Sequence, residues 1–79
     1  MPRELPDTTD WITDRLAGLG ERIRDTRIDQ GLTQEAVYLA AGVDRRTFQA
    51  VEAGQANPTA ATLLRIAYVL DMPPGALFE

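Results

Sequence analysis

The stretch TQEAVYLAAGVDRRTFQAVEAG, residues 33–54, decides the fold. Thr33 is a good N-cap, because its side-chain oxygen can accept from an amide that a helix start leaves unpaired. Glu35 then puts negative charge in the first turn, where the helix dipole favours it. Val37, Ala40 and Ala41 carry that helix to Gly42, which stops it. Only Gly42, Val43 and Asp44 separate it from the next helix, over about residues 45–53, for which Asp44 is the N-cap and Gly54 the stop. Phe48 and Val51 lie three apart and face inward, which leaves Arg45, Arg46, Gln49 and Ala50 on the opposite face.

So short a turn cannot lay two helices antiparallel, but it suits the steep crossing of a helix-turn-helix. The outward set has the composition that reading a DNA major groove requires. Arginine can donate two bonds to guanine O6 and N7, glutamine can pair with N6 and N7 of adenine, and alanine can touch a thymine methyl. Two arginines and a glutamine also make an ordinary solvated helix face, so the turn length carries the argument. Gln34, at the start of the first helix, adds a side chain and nearby amides able to hold a phosphate.

Working outward, Ile12, Leu16, Leu19 and Ile23 form one apolar helical stripe that runs to about Gln30, with Gly31 as its stop. Gly18 and Gly20 interrupt it, each costing about 1 kcal/mol against alanine in a helix interior. One long helix and a short helix followed by a second are both compatible with this pattern. Thr8, Thr9 or Asp10 supplies the cap, and residues 1–9, with two prolines and no periodicity, form a flexible arm. Downstream, Thr59 or Asn57 caps a helix whose Leu63, Ile66, Ala67 and Leu70 keep a helical stripe. Pro73 and Pro74 end it and open a last short helix that returns Leu77 and Phe78 to the core. No strand-like alternation occurs. The expectation is an all-α, compact bundle of five short helices at residues 10–79, with an N-terminal extension.

Composition narrows the functions. Seventy-nine residues make one domain, and 44% hydrophobic with 25% charged residues is globular. Neither cysteine nor histidine is present, so thiolate metal sites, disulfides, cysteine nucleophiles and imidazole acid–base chemistry are all ruled out. The carboxylates form no calcium-loop run and no nucleophile or phosphate-cradling arrangement, so no catalytic residue, metal or cofactor is assigned. No apolar run spans a bilayer and Met1 to Leu5 is not a signal sequence, so a cytoplasmic location is expected. Twelve acidic residues against eight arginines give a net charge of −4, the wrong sign for a simple nucleic-acid binder.

Residues 19–78 resemble the phage-repressor (Xre/Cro-type, lambda-repressor-like) helix-turn-helix family. The resemblance rests on Gly31-Leu32-Thr33-Gln34, Gly42-Val43 at the turn, Val51-Glu52-Ala53-Gly54, Asn57-Pro58 and the closing Leu77-Phe78, in order and at family spacing. It implies that Arg45, Arg46, Gln49 and Ala50 face bases. It also implies that Thr33, Gln34, Thr47 and Asn57 lie at the DNA backbone, and that Arg27 and Glu52 form a buried, structural ion pair. Arg22, Arg24 and Arg27 add positive potential nearby.

Three features depart from the family. Tyr38 stands where alanine is usual, at the crossing of the two helices, and must repack that crossing or point past it. Ile28 and Leu39 occupy positions usually polar and, with Tyr38, would form an apolar patch of the kind that marks a partner surface. Residues 31–60 hold only Arg45 and Arg46 against Glu35, Asp44 and Glu52. The expected function is a sequence-specific DNA-binding regulator, a repressor acting as a homodimer on double-stranded DNA. Its dimer surface would be either Trp11, Ile12 and Leu16 or the end of the last helix near Phe78. The alternative is a protein-interaction module, an antitoxin or anti-repressor type, with a toxin-like or similar protein partner and weak DNA affinity.

Overall fold

A computed structural model describes residues 1–79. Helix α1 spans Asp10–Asp29, α2 Gln34–Ala41, α3 Arg45–Glu52 and α4 Ala60–Val69, and there is no strand. The expected fifth helix, Pro74–Phe78, is a 3₁₀ helix rather than an α-helix. Five residues opened by two prolines are too few to build an α-helical ladder, and the tighter 3₁₀ turn suits short pieces. It nevertheless buries Leu77, as the pattern required, while Phe78 stays exposed.

The caps follow the sequence closely in the middle of the chain. The Thr33 hydroxyl accepts from the Ala36 amide at 3.0 Å, and the Thr59 hydroxyl, not Asn57, accepts from Thr62 at 3.1 Å. Gly31, Gly42 and Gly54 all sit in the left-handed region that lets a helix end in a sharp turn. Thr9 occupies the N-cap position of α1 but makes no side-chain bond there, so α1 begins without a side-chain cap. A single hydrophobic cluster joins all elements, with Ile23, Val37, Phe48 and Ile66 fully buried. Nothing before Leu19 is buried, so the arm and the first two turns of α1 project from this core.

Gly18 and Gly20 do not break α1, and Gly20 has a packing reason to be glycine. A Cβ there would stand 2.7 Å from the Glu52 carbonyl oxygen and closer still to that of Val51, so α1 and the end of α3 meet backbone to backbone. Gly54 repeats the device one step on, with a hypothetical Cβ 2.7 Å from the Ala17 Cα. At Gly18 the only near neighbour is the far end of the Arg22 side chain, at 3.1 Å.

Where the helices meet, Arg27 holds them in register. Its Nε donates to Glu52 Oε2 at 2.7 Å, its Nη2 to Glu52 Oε1 at 3.1 Å and its Nη1 to the Leu32 carbonyl at 2.9 Å. The two side chains are only 12% and 5% exposed. At the far side of α1, Gln30 donates to the Leu70 carbonyl at 2.7 Å and so ties α1 to the end of α4.

Two outcomes test this packing. In chemical denaturation, Gly20→Ala should lose about 1–3 kcal/mol through forced overpacking against a backbone that cannot yield. Gly18→Ala should instead gain up to about 1 kcal/mol from helix propensity, because the Arg22 tip can swing aside. Glu52→Gln keeps the shape but strands the Arg27 charge, and should lower stability by about 3–5 kcal/mol in the same assay.

Candidate nucleic-acid interface

Helix α3 is positioned by its cap and its buried face. Asp44 accepts from the Thr47 amide at 2.8 Å through Oδ1 and from the Thr47 hydroxyl at 2.7 Å through Oδ2. The Thr47 amide, followed by its hydroxyl, holds the Asp44 carboxyl below its usual value of about 3.8, so the cap remains an anion down to low pH. Phe48 and Val51 anchor the inner face in the core. That leaves Arg45, Arg46 and Gln49 exposed and Ala50 half-buried.

The sequence-derived residues divide into two groups in space. Arg45 and Gln49, expected at bases, and Thr33 and Gln34, expected at the backbone, line one surface depression together with Tyr38 and Glu35. Arg46, Ala50, Thr47 and Asn57 do not line it. Arg46 and Ala50 follow each other one turn apart along α3, in the row beside that of Arg45 and Gln49. Asn57 is exposed on the loop before α4 and makes no side-chain hydrogen bond within the chain. Thr47 gives its hydroxyl proton to Asp44, so it would have to leave that bond to donate to a phosphate. Thr33 uses its oxygen only as an acceptor, which leaves its proton free.

One connection escaped the sequence reading. Gln34 Nε2 donates to Glu52 Oε1 at 2.9 Å, and Gln49 Nε2 reaches Gln34 Oε1 at 3.4 Å. The expected ion pair of Arg27 and Glu52 therefore extends through Gln34 to the exposed face of α3. Because Glu52 can only accept, it fixes which end of the Gln34 amide faces Gln49. Gln49 in turn keeps its carbonyl oxygen and one N–H free, the two groups that an adenine edge needs. Gln49 and Glu52 are neighbours on α3, whereas Gln34 lies on α2, so only the crossing brings Gln34 to them.

Tyr38 points past the crossing rather than into it. Its ring leans on Phe48 with centroids 6.3 Å apart and planes tilted by 50°, a common aromatic arrangement. Its hydroxyl reaches Glu35 Oε2 at 3.5 Å. The ring is half-buried on the core, while Ile28 and Leu39 are exposed, at 51% and 67%. No helix is long and apolar enough to cross a membrane.

The fold is similar to that of two solved structures. The restriction-modification controller protein C.AhdI from Aeromonas hydrophila superposes with a TM-score of 0.76 and 38% sequence identity, over 80% of this chain and 96% of that one. A hypothetical transcription factor, NHTF, from Neisseria superposes with a TM-score of 0.79 and 29% identity, over 100% of this chain and 86% of that one. No curated protein matches. The profile of the helix-turn-helix domain family matches residues 18–79, which leaves the arm and the first two turns of α1 outside it. With that match over most of its length, the chain belongs to the helix-turn-helix domain family of DNA-binding transcription regulators.

Proposed function

We propose that this protein is a homodimeric repressor that reads a pseudo-palindromic operator with α3 in the major groove. One observation carries the reading: the exposed Arg45 and Gln49 share a depression with Thr33 and Gln34. Base-reading donors beside phosphate-holding groups at a helix N-terminus are what a docked recognition helix uses to fix register and read sequence together. Arg45, Arg46, Gln49 and Ala50 face base edges, and Thr33, Gln34 and Asn57 lie along the backbone. Thr47 serves chiefly to complete the cap. Repression follows from occupancy of the site. The likeness to a controller protein that this chain covers over 96% of its length supports regulation by a domain of this size.

Two copies are needed because one copy holds so few cations. A second copy also makes sense of α4, where Leu64 and Tyr68, one turn apart, are 53% and 86% exposed. They flank an apolar groove against Ala40, Ala41 and Val69. This face, formed by α2 and α4, is the dimer surface we propose, in place of both Trp11, Ile12 and Leu16 and the end of the last helix near Phe78.

Binding to the fragment upstream of the protein's own coding sequence, followed by fluorescence anisotropy at moderate salt, tests the reading. Arg45→Ala and Arg46→Ala should each weaken specific binding about 10-fold or more, since a bidentate contact discriminates by about 1–3 kcal/mol. Wild-type protein that ignores this DNA while another protein co-purifies with it would instead favour an interaction module. The dimer has its own check by sedimentation. Leu64→Glu with Tyr68→Glu should give a monomer whose DNA affinity falls at least about 10-fold through lost bivalency, whereas Trp11→Ser should sediment as a dimer.

A further inference from the structure

Beside the base-reading row lies a second, smaller crevice of about 240 Å³, lined by Arg24, Arg27, Gln34, Gln49, Glu52 and Ala53. Its charges do not cancel. Glu52, the one carboxylate in it, has both oxygens occupied: Oε2 by Arg27, and Oε1 by Arg27 and Gln34. Arg24 is exposed, forms no ion pair and donates no hydrogen bond within the chain. The crevice therefore presents one unneutralised guanidinium, the remaining N–H groups of Gln34 and Gln49, and the Gln49 carbonyl oxygen as its one unpaired side-chain acceptor.

We infer that this crevice is a phosphodiester site, with Arg24 its principal ligand for the DNA backbone that flanks the groove entered by α3. The inference rests on the reading of α3 as the recognition helix and adds a contact from α1. Two observations favour a phosphate. The net charge of the lining is positive, with Arg24 its one unpaired charge, and the crevice adjoins Gln49 on the flank of α3, beside the proposed path of a strand backbone. Planar, forked guanidinium donors suit a phosphate well. Arg22 does not share the role, although it is only two residues away. Its guanidinium folds back over Gly18 and is absent from the crevice. A helical step of two residues turns a side chain through most of a half-circle, which accounts for the different fates. The contact also bears on the shortage of cations between residues 31 and 60, because α1 supplies a charge that the helix-turn-helix segment lacks.

The purely structural alternative is that Arg24 only offsets the negative end of the α3 dipole. Salt titration separates the two. Binding of the full chain to a 30-base-pair random-sequence duplex and to the upstream fragment is measured between 50 and 200 mM salt, for wild type, Arg24→Gln, Arg24→Lys, Arg22→Gln and Arg45→Ala. Arg24→Gln should flatten the slope of log K against log salt by about 0.9 per contact, or about 1.8 for a dimer, on both duplexes. Arg24→Lys should restore most of that slope, and Arg22→Gln should leave it at the wild-type value. An Arg24→Gln slope equal to wild type, with only a lowered melting temperature, overturns the phosphate site. If Arg45→Ala still abolishes preference for the upstream fragment in that case, the recognition-helix reading stands alone. Failure of the wild type to bind either duplex overturns both.

Discussion

Glu52 accepts from Arg27 and Gln34 inside the crossing of α1, α2 and α3, and the positions of those three helices depend on its doing so. Arg27 also takes the Leu32 carbonyl, which fixes the loop through which α1 hands over to α2. The pair is largely removed from water, so its mutual attraction is offset by desolvation, and a well-packed apolar substitute could be as stable. Such a substitute could not set direction. A carboxylate with two oxygens and a guanidinium fork meet in one geometry, and that geometry propagates through Gln34 to Gln49 on the surface. We therefore regard the pair as a registration device, in which the orientation of the Gln49 amide, proposed to read a base, is set from the interior of the fold.

This network explains which parts of the protein were legible in its sequence. The middle of the chain was legible because its information is local. Thr33 and Asp44 cap where a cap must be, and Gly42 and Gly54 take the left-handed conformation that ends a helix. The Arg27–Glu52 pair was accessible only through family resemblance, since 25 residues separate its members and no periodicity links them. Gln34 and Gln49 were each noticed as polar groups suited to DNA, but not as partners of each other, because their meeting depends on the crossing angle. Gly20 shows the opposite failure. Read locally it weakened α1, whereas in space it permits the closest approach of α1 to α3. The 3₁₀ turn at Pro74–Phe78 was placed correctly but misassigned in type, as expected where five residues decide the hydrogen-bond pattern.

Tyr38 shows how a departure from the family can be absorbed. A ring at the crossing would force the helices apart if it pointed inward. Leaning on Phe48 instead, it widens the contact between α2 and α3 and keeps its hydroxyl toward Glu35. The crossing that positions Gln34 beneath Gln49 is thus retained with a larger residue beside it. The consequence is chemical: one wall of the depression that holds Arg45 and Gln49 is aromatic and acidic where a more basic wall would attract backbone phosphate.

An acidic chain that binds DNA must divide its labour differently from a basic one. When many phosphates are neutralised, counterion release dominates, and affinity is high for any sequence. Here the net charge is −4, and of the carboxylates near the site Asp44 is engaged with its cap and Glu52 with Arg27, while Glu35 stays without an ion pair in the depression. The negative charge that remains, Glu35 included, opposes non-specific approach. Discrimination then falls on a few oriented contacts, and the polarity of one glutamine amide becomes important. A loosely held Gln49 could turn its amide over and accept the wrong base edge at little loss. Turning over would cost Gln49 its 3.4 Å bond to Gln34, the outer link of a chain that ends at the Arg27–Glu52 pair. The scarcity of positive charge and the rigidity of the network are therefore complementary, since weak general attraction is selective only if the specific contacts cannot rearrange.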